Sequence, residues 1–204
     1  MIVLESITTR EKILDAAVVL FSDRGYCRVS MRDIAQVVGI KAASIYNHFS
    51  SKSEILKNLF GFYAVQRKKY APDLDELLLL AETAPSTTVL TRLVYHYPPE
   101  LIDRMDRILI IAGQELCSSE GGEQFLREHL YDATLDILVP VLNRLVEREK
   151  IEPVNVWDFS LILTYFDISA ALLNHSSMRS DLERWQSCLA LLFSLIRSRD
   201  INPG

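Results

Sequence analysis

The sequence predicts an all-α fold, and three observations carry that prediction. Apolar residues recur at spacings of three and four through most of the chain, and strand-like alternation is sustained nowhere. Gly and Pro are scarce, 7 of each in 204 residues, which leaves little turn chemistry for an all-β chain. A Ser or Thr followed three residues later by an acid, the mark of a capped helix start, stands before several periodic stretches. A chain of this length holds one to two domains and a sizeable core. With 49% hydrophobic and 24% charged residues it has ordinary globular composition.

The first helix is predicted over 8–24. Thr8-x-x-Glu11 is a capping box, and Ile13, Ala17, Leu20 and Phe21 fall on one face. Gly25 follows as a residue that tolerates the left-handed conformation. Ser30-x-x-Asp33 opens a short second helix with Ile34, Ala35 and Val38 inside, and Gly39 stops it. A third short helix is predicted over 41–49. Ser51-x-x-Glu54 caps a fourth that runs to about Tyr70, with Ile55, Leu59 and Phe62 at helical spacing. Further helices are predicted over 73–82, 87–97, 100–117, 123–149, 156–174 and 182–199. Pro140 removes one ladder hydrogen bond from the long 123–149 segment, so a kink or break is expected there.

Charge and proline divide the chain at one place. Residues 1–70 carry 11 Lys and Arg against 6 Asp and Glu; the remainder carries 11 against 21. A basic head on an acidic body suggests a polyanion for the head, with chance clustering as the alternative. No proline precedes Pro72. Cys27, Cys117 and Cys188 are odd in number and far apart, which disfavours a disulfide framework or a Cys-based zinc site and fits a cytoplasmic location. The longest run without Asp, Glu, Lys or Arg is 12 residues, below the roughly 17–25 of a membrane-spanning helix. The first residues show no secretory signal pattern.

Residues 31–50, MRDIAQVVGIKAASIYNHFS, satisfy a helix-turn-helix. Two short helices that cross steeply need a small residue at the crossing, and Ala35 supplies it. Four residues on, the turn needs a residue at home at positive φ, and Gly39 supplies it. Ile34, Val38, Ile40 and Ile45 seal the crossing. Each match alone is weak; together, at fixed offsets, they are specific.

Over roughly residues 8–60 the sequence resembles the TetR family of transcriptional repressors. The resemblance rests on Ile13-Leu14-Asp-Ala-Ala17 and Leu20-Phe21, then Gly25, Ser30-Met-Arg-Asp-Ile-Ala35, Gly39-Ile40, and Ser44-Ile-Tyr46-Asn-His48-Phe49 followed by Ser51-Lys52. It implies a DNA-binding head, residues 1–50, on a ligand-binding and dimerisation body, residues 51–204. The third helix then enters the major groove. Lys41 can donate to guanine or phosphate, Ala42 and Ala43 offer methyls to thymine or allow close approach, and Asn47 can read adenine. Ser44, Tyr46, His48 and Lys52 suit phosphates, as the resemblance also implies for the last three. Ser30 and Arg32 can touch backbone and a groove edge. Plainer roles stand beside these: Tyr46 packed at the crossing, His48 solvated or capping, Asn47 on the backbone, Lys52 a surface lysine.

For the body, the resemblance implies an effector pocket and a homodimer through the last two helices, bound to a palindromic double-stranded operator. Two apolar stripes on 156–174 support the dimer independently, Phe159, Ile162, Phe166 and Leu173 on one and Leu161, Tyr165, Ile168 and Leu172 on the other. A monomer core that buries both is the alternative. Segment 182–199 repeats the pattern with Trp185, Leu189, Leu192 and Ile196. Candidate effector contacts are Phe62, Gln66, Tyr95, Met105, Glu115, His129, Tyr165 and Phe166, each of which also has an ordinary reading as a core residue. The 95–99 stretch, Tyr-His-Tyr-Pro-Pro, lines a pocket mouth or merely ends a helix. The functional expectation is a repressor that releases its operator on binding a small molecule, with a helical protein-binding adaptor as the alternative. No nucleophile–His–acid spacing, phosphate loop or metal cluster is visible, so neither an enzyme nor a resident cofactor or metal is expected.

Overall fold

The computed structural model describes residues 8–93, 98–116 and 121–174, with side chains through Tyr165 in the last stretch. The described helices are α1 (Thr9–Arg24), α2 (Met31–Val38), α3 (Lys52–Tyr70), α4 (Leu74–Thr83), α5 (Ser86–Arg92), α6 (Pro99–Gln114), α7 (Gly122–Leu126), α8 (Ala133–Glu147) and α9 (Val156–Asn174). No strand occurs among the described residues, and no helix among them is long and apolar enough to cross a membrane. The predicted 182–199 helix, with Leu192, lies outside the described residues, as do Tyr95 and Tyr97.

Local chemistry explains the helix starts. At α1 the Thr8 side chain accepts from the Glu11 N–H at 3.2 Å, and the Thr8 N–H donates to the Glu11 carboxylate at 2.8 Å. The box predicted at Ser51 is split in the structure. Ser51 Oγ accepts from the Glu54 N–H at 3.1 Å, but the Glu54 carboxylate reaches back to the N–H and hydroxyl of Ser50, both at 2.7 Å. Asp73 caps α4 by accepting from the Glu76 N–H at 2.8 Å.

The chain falls into two compact units, Met1–Gln66 with Pro99–Leu126, and Arg67–Pro98 with Arg127–Gly204. In the first, α1 packs against α2 and α6, and α6 against α7. Two arginines fasten α6 to α1. Arg104 pairs with Asp15 at 2.8 Å, and Arg107 pairs with Asp23 at 2.8 Å and with Asp103 on its own helix at 3.0 Å. Arg107 also donates to Ser22 Oγ at 2.8 Å, and Gln114 to the Ser22 carbonyl at 3.1 Å. Phe60 stacks on Phe125 of α7 with ring centroids 4.1 Å apart. Gly122 makes the α6–α7 contact possible: a Cβ there would lie 2.6 Å from the Ala112 carbonyl oxygen and 2.8 Å from the Glu115 carbonyl group.

In the second unit α4, α5, α8 and α9 enclose an apolar core that includes Leu77, Val89, Leu138, Leu142, Leu145, Phe159 and Leu163. Glu82 of α4 receives Arg144 and Arg148, and the Lys150 ammonium donates to the carbonyls of Glu82 and Ala84.

Three expectations need correction here. The irregularity in segment 123–149 sits at a π-helical turn, Arg127–Asp132, while Pro140 lies inside an unbroken α8. Proline costs one backbone bond, but buried Leu138, Val141, Leu142 and Leu145 hold both sides of it in place. The helix predicted over 87–97 ends at Arg92 among the described residues. On α9 the first predicted stripe is split, for Phe159 is buried and Ile162 is 52% exposed. At 100° per residue the two lie only 60° apart, and the edge of the buried arc of Val156, Phe159, Ser160, Leu163 and Thr164 falls between them.

Candidate nucleic-acid interface

The interface is built on the turn after α2. Ser30 and Asp33 form a full capping box, in which the Ser30 N–H and hydroxyl donate to the Asp33 carboxylate at 2.8 and 2.6 Å and the Asp33 N–H donates to Ser30 Oγ at 3.2 Å. These bonds, the hydroxyl's first, hold the Asp33 carboxyl below its ordinary range. The helix ends at Gly39, which adopts the left-handed conformation at φ 79°, ψ 28°. The Gly39 N–H donates to the Gln36 carbonyl at 3.2 Å and the Ile40 N–H to the Ala35 carbonyl at 3.0 Å, the paired bonds of a Schellman ending.

The helix predicted over 41–49 is shorter and tighter than expected. It is one 3₁₀ turn, Ser44–Asn47. The Ser44 N–H donates to the Lys41 carbonyl at 2.8 Å and the His48 N–H to the Ile45 carbonyl at 3.0 Å, so bonds spaced by three dominate. A segment held between Gly39 and the next helix start is too short to repay α-helix nucleation.

Burial sorts the candidates. Ile45 and Phe49 are fully buried beneath the turn. Lys41, Ala42, Ala43 and Asn47 are exposed, and Tyr46 is 56% exposed, so it does not pack at the crossing. Ser44 and His48 are half-buried; Ser30 and Arg32 are exposed beside the start of α2.

Lys52 takes a place that no spacing in the sequence announces. Its ammonium donates to the carbonyls of Tyr26 at 2.7 Å and Val29 at 3.0 Å, and lies 4.1 Å from the centroid of the Tyr26 ring. Two of its three protons thus tie the start of α3 to the 3₁₀ turn Tyr26–Arg28 that leads into α2. Tyr26 in turn meets Phe21 edge-on at 5.1 Å. On the other flank the Arg10 guanidinium lies 4.6 Å over Phe49 and bonds Asn58. Sequence spacing does not reveal the parts played by Tyr26 and Arg10, because Lys52, Phe49 and Asn58 stand far from them along the chain.

The effector candidates are spread over both units. In the first, Phe62 lies beneath the Arg104 guanidinium at 4.2 Å, Gln66 is half-buried near the end of α3, and Met105 and Glu115 are buried on or just after α6. In the second, His129 is half-buried in the π turn and Tyr165 is exposed on the outer face of α9, its ring 6.2 Å from Tyr131. Tyr95 and the Phe166 side chain lie outside the described residues.

Comparison with known proteins finds a likeness over the same stretch of chain. Residues 13–59 match the model of the bacterial regulatory proteins of the tetR family. The biofilm operon icaADBC negative transcriptional regulator IcaR of Staphylococcus epidermidis is 40% identical over 58 residues, 26% of this chain and 31% of that protein. The same regulator from Staphylococcus aureus strain Newman is 50% identical over 46 residues, 22% of this chain and 25% of its own. The chain thus matches only about a quarter to a third of the length of these curated relatives. Solved structures extend the likeness in fold. The ketosteroid transcriptional regulator KstR2 of Mycobacterium tuberculosis superimposes with a TM-score of 0.71 at 19% identity, over 96% of this chain and 98% of that one. The TetR-family regulator PfmR of Thermus thermophilus gives 0.63 at 22% identity, over 98% and 100%. Residues 13–59 are thus similar to the bacterial regulatory proteins of the tetR family, and the described residues have the all-α fold of these solved structures.

Proposed function

We propose that this chain is a ligand-responsive transcription regulator, a repressor that binds a palindromic operator as a homodimer in the cytoplasm and releases it when a small molecule occupies the body. Residues 1–50 form the DNA-binding part in this reading and residues 51–204 the ligand-binding and dimerisation part. The observation that carries it is the exposed surface of Lys41, Ala42, Ala43, Tyr46 and Asn47, held over the buried Ile45 and Phe49 between two capped helices. That surface fits a major groove, where Asn47 reads adenine, Ala42 and Ala43 meet thymine methyls and Lys41 reaches guanine or phosphate. Ser30, Arg32, Ser44, Tyr46 and His48 contact the backbone, with Lys52 contributing at most its remaining proton.

The dimer uses the outer face of α9, where Trp157, Ile162 and Tyr165 are exposed. Because α6 is fastened to α1 by Arg104 and Arg107, a displacement of α6 is felt by the head. An effector that prefers the displaced state weakens operator binding by that preference, and the operator weakens effector binding equally. A gel shift of the full chain on its own upstream DNA at several salt concentrations tests the reading. Specific, salt-sensitive retardation is expected; retardation of unrelated DNA to the same extent contradicts it.

A further inference from the structure

We propose that Arg28 grips the phosphate backbone of the operator and that Lys52 holds Arg28 in place through the turn it ties down; this rests on reading the chain as an operator-binding regulator. The starting point is charge. Arg92, Arg104, Arg107, Arg144 and Arg148 each pair with a carboxylate. Arg24, Arg28 and Arg32 are exposed, and none of the three has an ion pair among the described residues. The acids that border this stretch are engaged. Asp23 holds Arg107 at 2.8 Å, and Asp33 holds the Ser30 N–H and hydroxyl at 2.8 and 2.6 Å, with the charge of Arg24 acting on it from further away. A strip of positive charge whose neighbouring carboxylates are occupied is left for an anion from outside.

A second observation singles out Arg28. Of the three it alone lies outside an α-helix, at the end of the 3₁₀ turn Tyr26–Arg28, and long-range bonds brace its backbone instead. The Lys52 ammonium donates to the carbonyls on either side of it, Tyr26 at 2.7 Å and Val29 at 3.0 Å. The Arg28 N–H donates to the Gly25 carbonyl at 3.2 Å and the Val29 N–H to the Tyr26 carbonyl at 3.3 Å. The buried Tyr26 ring, edge-on to Phe21, pins the turn from below. The guanidinium rests over Gly25, where a Cβ would lie 3.7 Å from its Nε and Nη2. Arg28 stands two residues before Ser30, so their Cα atoms lie within about 7 Å, and Ser30 and Arg32 face the DNA backbone in the proposed reading. A planar fork on a fixed backbone suits a phosphate. Two of the three Lys52 protons are committed to the brace, so at most one remains for DNA.

Binding of the full chain to its own upstream DNA, followed by fluorescence anisotropy over a series of salt concentrations, tests this. Arg28→Gln should lower affinity about tenfold or more at fixed salt. It should flatten the slope of log K against log salt by about 0.9 for each phosphate given up, and leave sequence preference and melting temperature unchanged. Arg28→Lys keeps the charge and should restore the slope. Arg92→Gln removes the same charge from the second unit and should leave the slope as it is. In the Lys52→Met protein, Arg28→Gln should matter less, because an unbraced arginine has already lost its aim; Lys52→Gln replaces Lys52→Met if the latter does not fold. A wild-type slope in Arg28→Gln, equal flattening by Arg92→Gln, or a melting temperature that falls with the affinity overturns the contact. Full additivity of the two substitutions overturns the brace. Specific binding by the wild type with an unchanged slope in Arg28→Gln sinks the contact alone, whereas no specific binding by the wild type sinks the regulator and the contact with it.

Discussion

Replacing Gly39 should unfold the interface without touching a single packed atom. A Cβ at this position meets nothing within 4 Å, so sterics with neighbours contribute nothing. The cost comes from the backbone, held at φ 79° in the left-handed region. Alanine there costs roughly 1–2 kcal/mol and a β-branched residue roughly 1–3, while asparagine tolerates the region best among side-chain residues. Stability should therefore fall in the order Gly, Asn, Ala, Val. For a cooperative unit of about this size each kcal/mol is worth roughly 4–8 °C, so Gly39→Val should lower the melting temperature of the first unit by about 10 °C. The chain can avoid that cost by abandoning the bonds from Gly39 to Gln36 and from Ile40 to Ala35, which loosens the turn instead. In either case operator affinity falls. The assay is a denaturation series on the four full-length proteins, with gel shifts beside it. A flat series, or a valine variant with wild-type affinity, would falsify the placement of the turn.

Lys52→Met should destabilise the first unit by roughly 1.5–3 kcal/mol, because two carbonyls lose a charged donor; if the remaining proton also meets phosphate, the salt slope of operator binding flattens by about 0.9. Gly122→Ala should cost roughly 1–3 kcal/mol, since the new methyl meets backbone that cannot step aside, and unchanged melting would show that α6 and α7 stand further apart. Asp33 has a depressed pKa, so its contribution is present above the unfolded carboxylate value near about 4 and is lost as pH falls through the lower folded value; Asp33→Asn should remove that acid-dependent loss, read as helix content against pH. Ile162→Glu, at an exposed position, should leave the fold intact and yield monomers in sedimentation at micromolar protein; a persistent dimer would place the subunit contact elsewhere.

What is legible in the sequence lies within a few residues. The boxes at Thr8 and Ser30 and the stop at Gly39 are decided by neighbours three to five positions apart, and all three stand as expected. Ser51 is half legible, because the adjacent Ser50 competes for the same carboxylate and wins. The short helix predicted over 41–49 is instead a 3₁₀ turn over Ser44–Asn47, since periodicity alone does not register that a segment is too short for bonds spaced by four. Pro140 draws attention to the wrong place. Proline carries a strong local signal, whereas the π turn at 127–132 has none that composition reveals. The Lys52 clamp and the Arg104 and Arg107 fastenings join residues 23 to 89 positions apart, and no single-sequence pattern encodes such pairs.

The long-range contacts decide how a four-residue 3₁₀ turn can present side chains with any precision. Such a turn has almost no stability of its own. Its position is set from below by Ile45 and Phe49, from one side by the Gly39 ending and from the other by the Ser50–Glu54 bonds and Arg10 over Phe49. Lys52 then ties the far end of the same assembly to the entry of α2. In the proposed reading these groups hold the surface rather than read bases, so their loss should displace every contact at once and weaken all DNA sequences alike. Lys41, Ala42, Ala43 and Asn47 stand on the exposed surface, and if they read bases as proposed their loss should change which sequences are preferred while the frame stays put. The two groups are therefore separable by experiment even though they interleave along the same turn: frame variants should shift affinity across a whole operator library, and surface variants should reorder it.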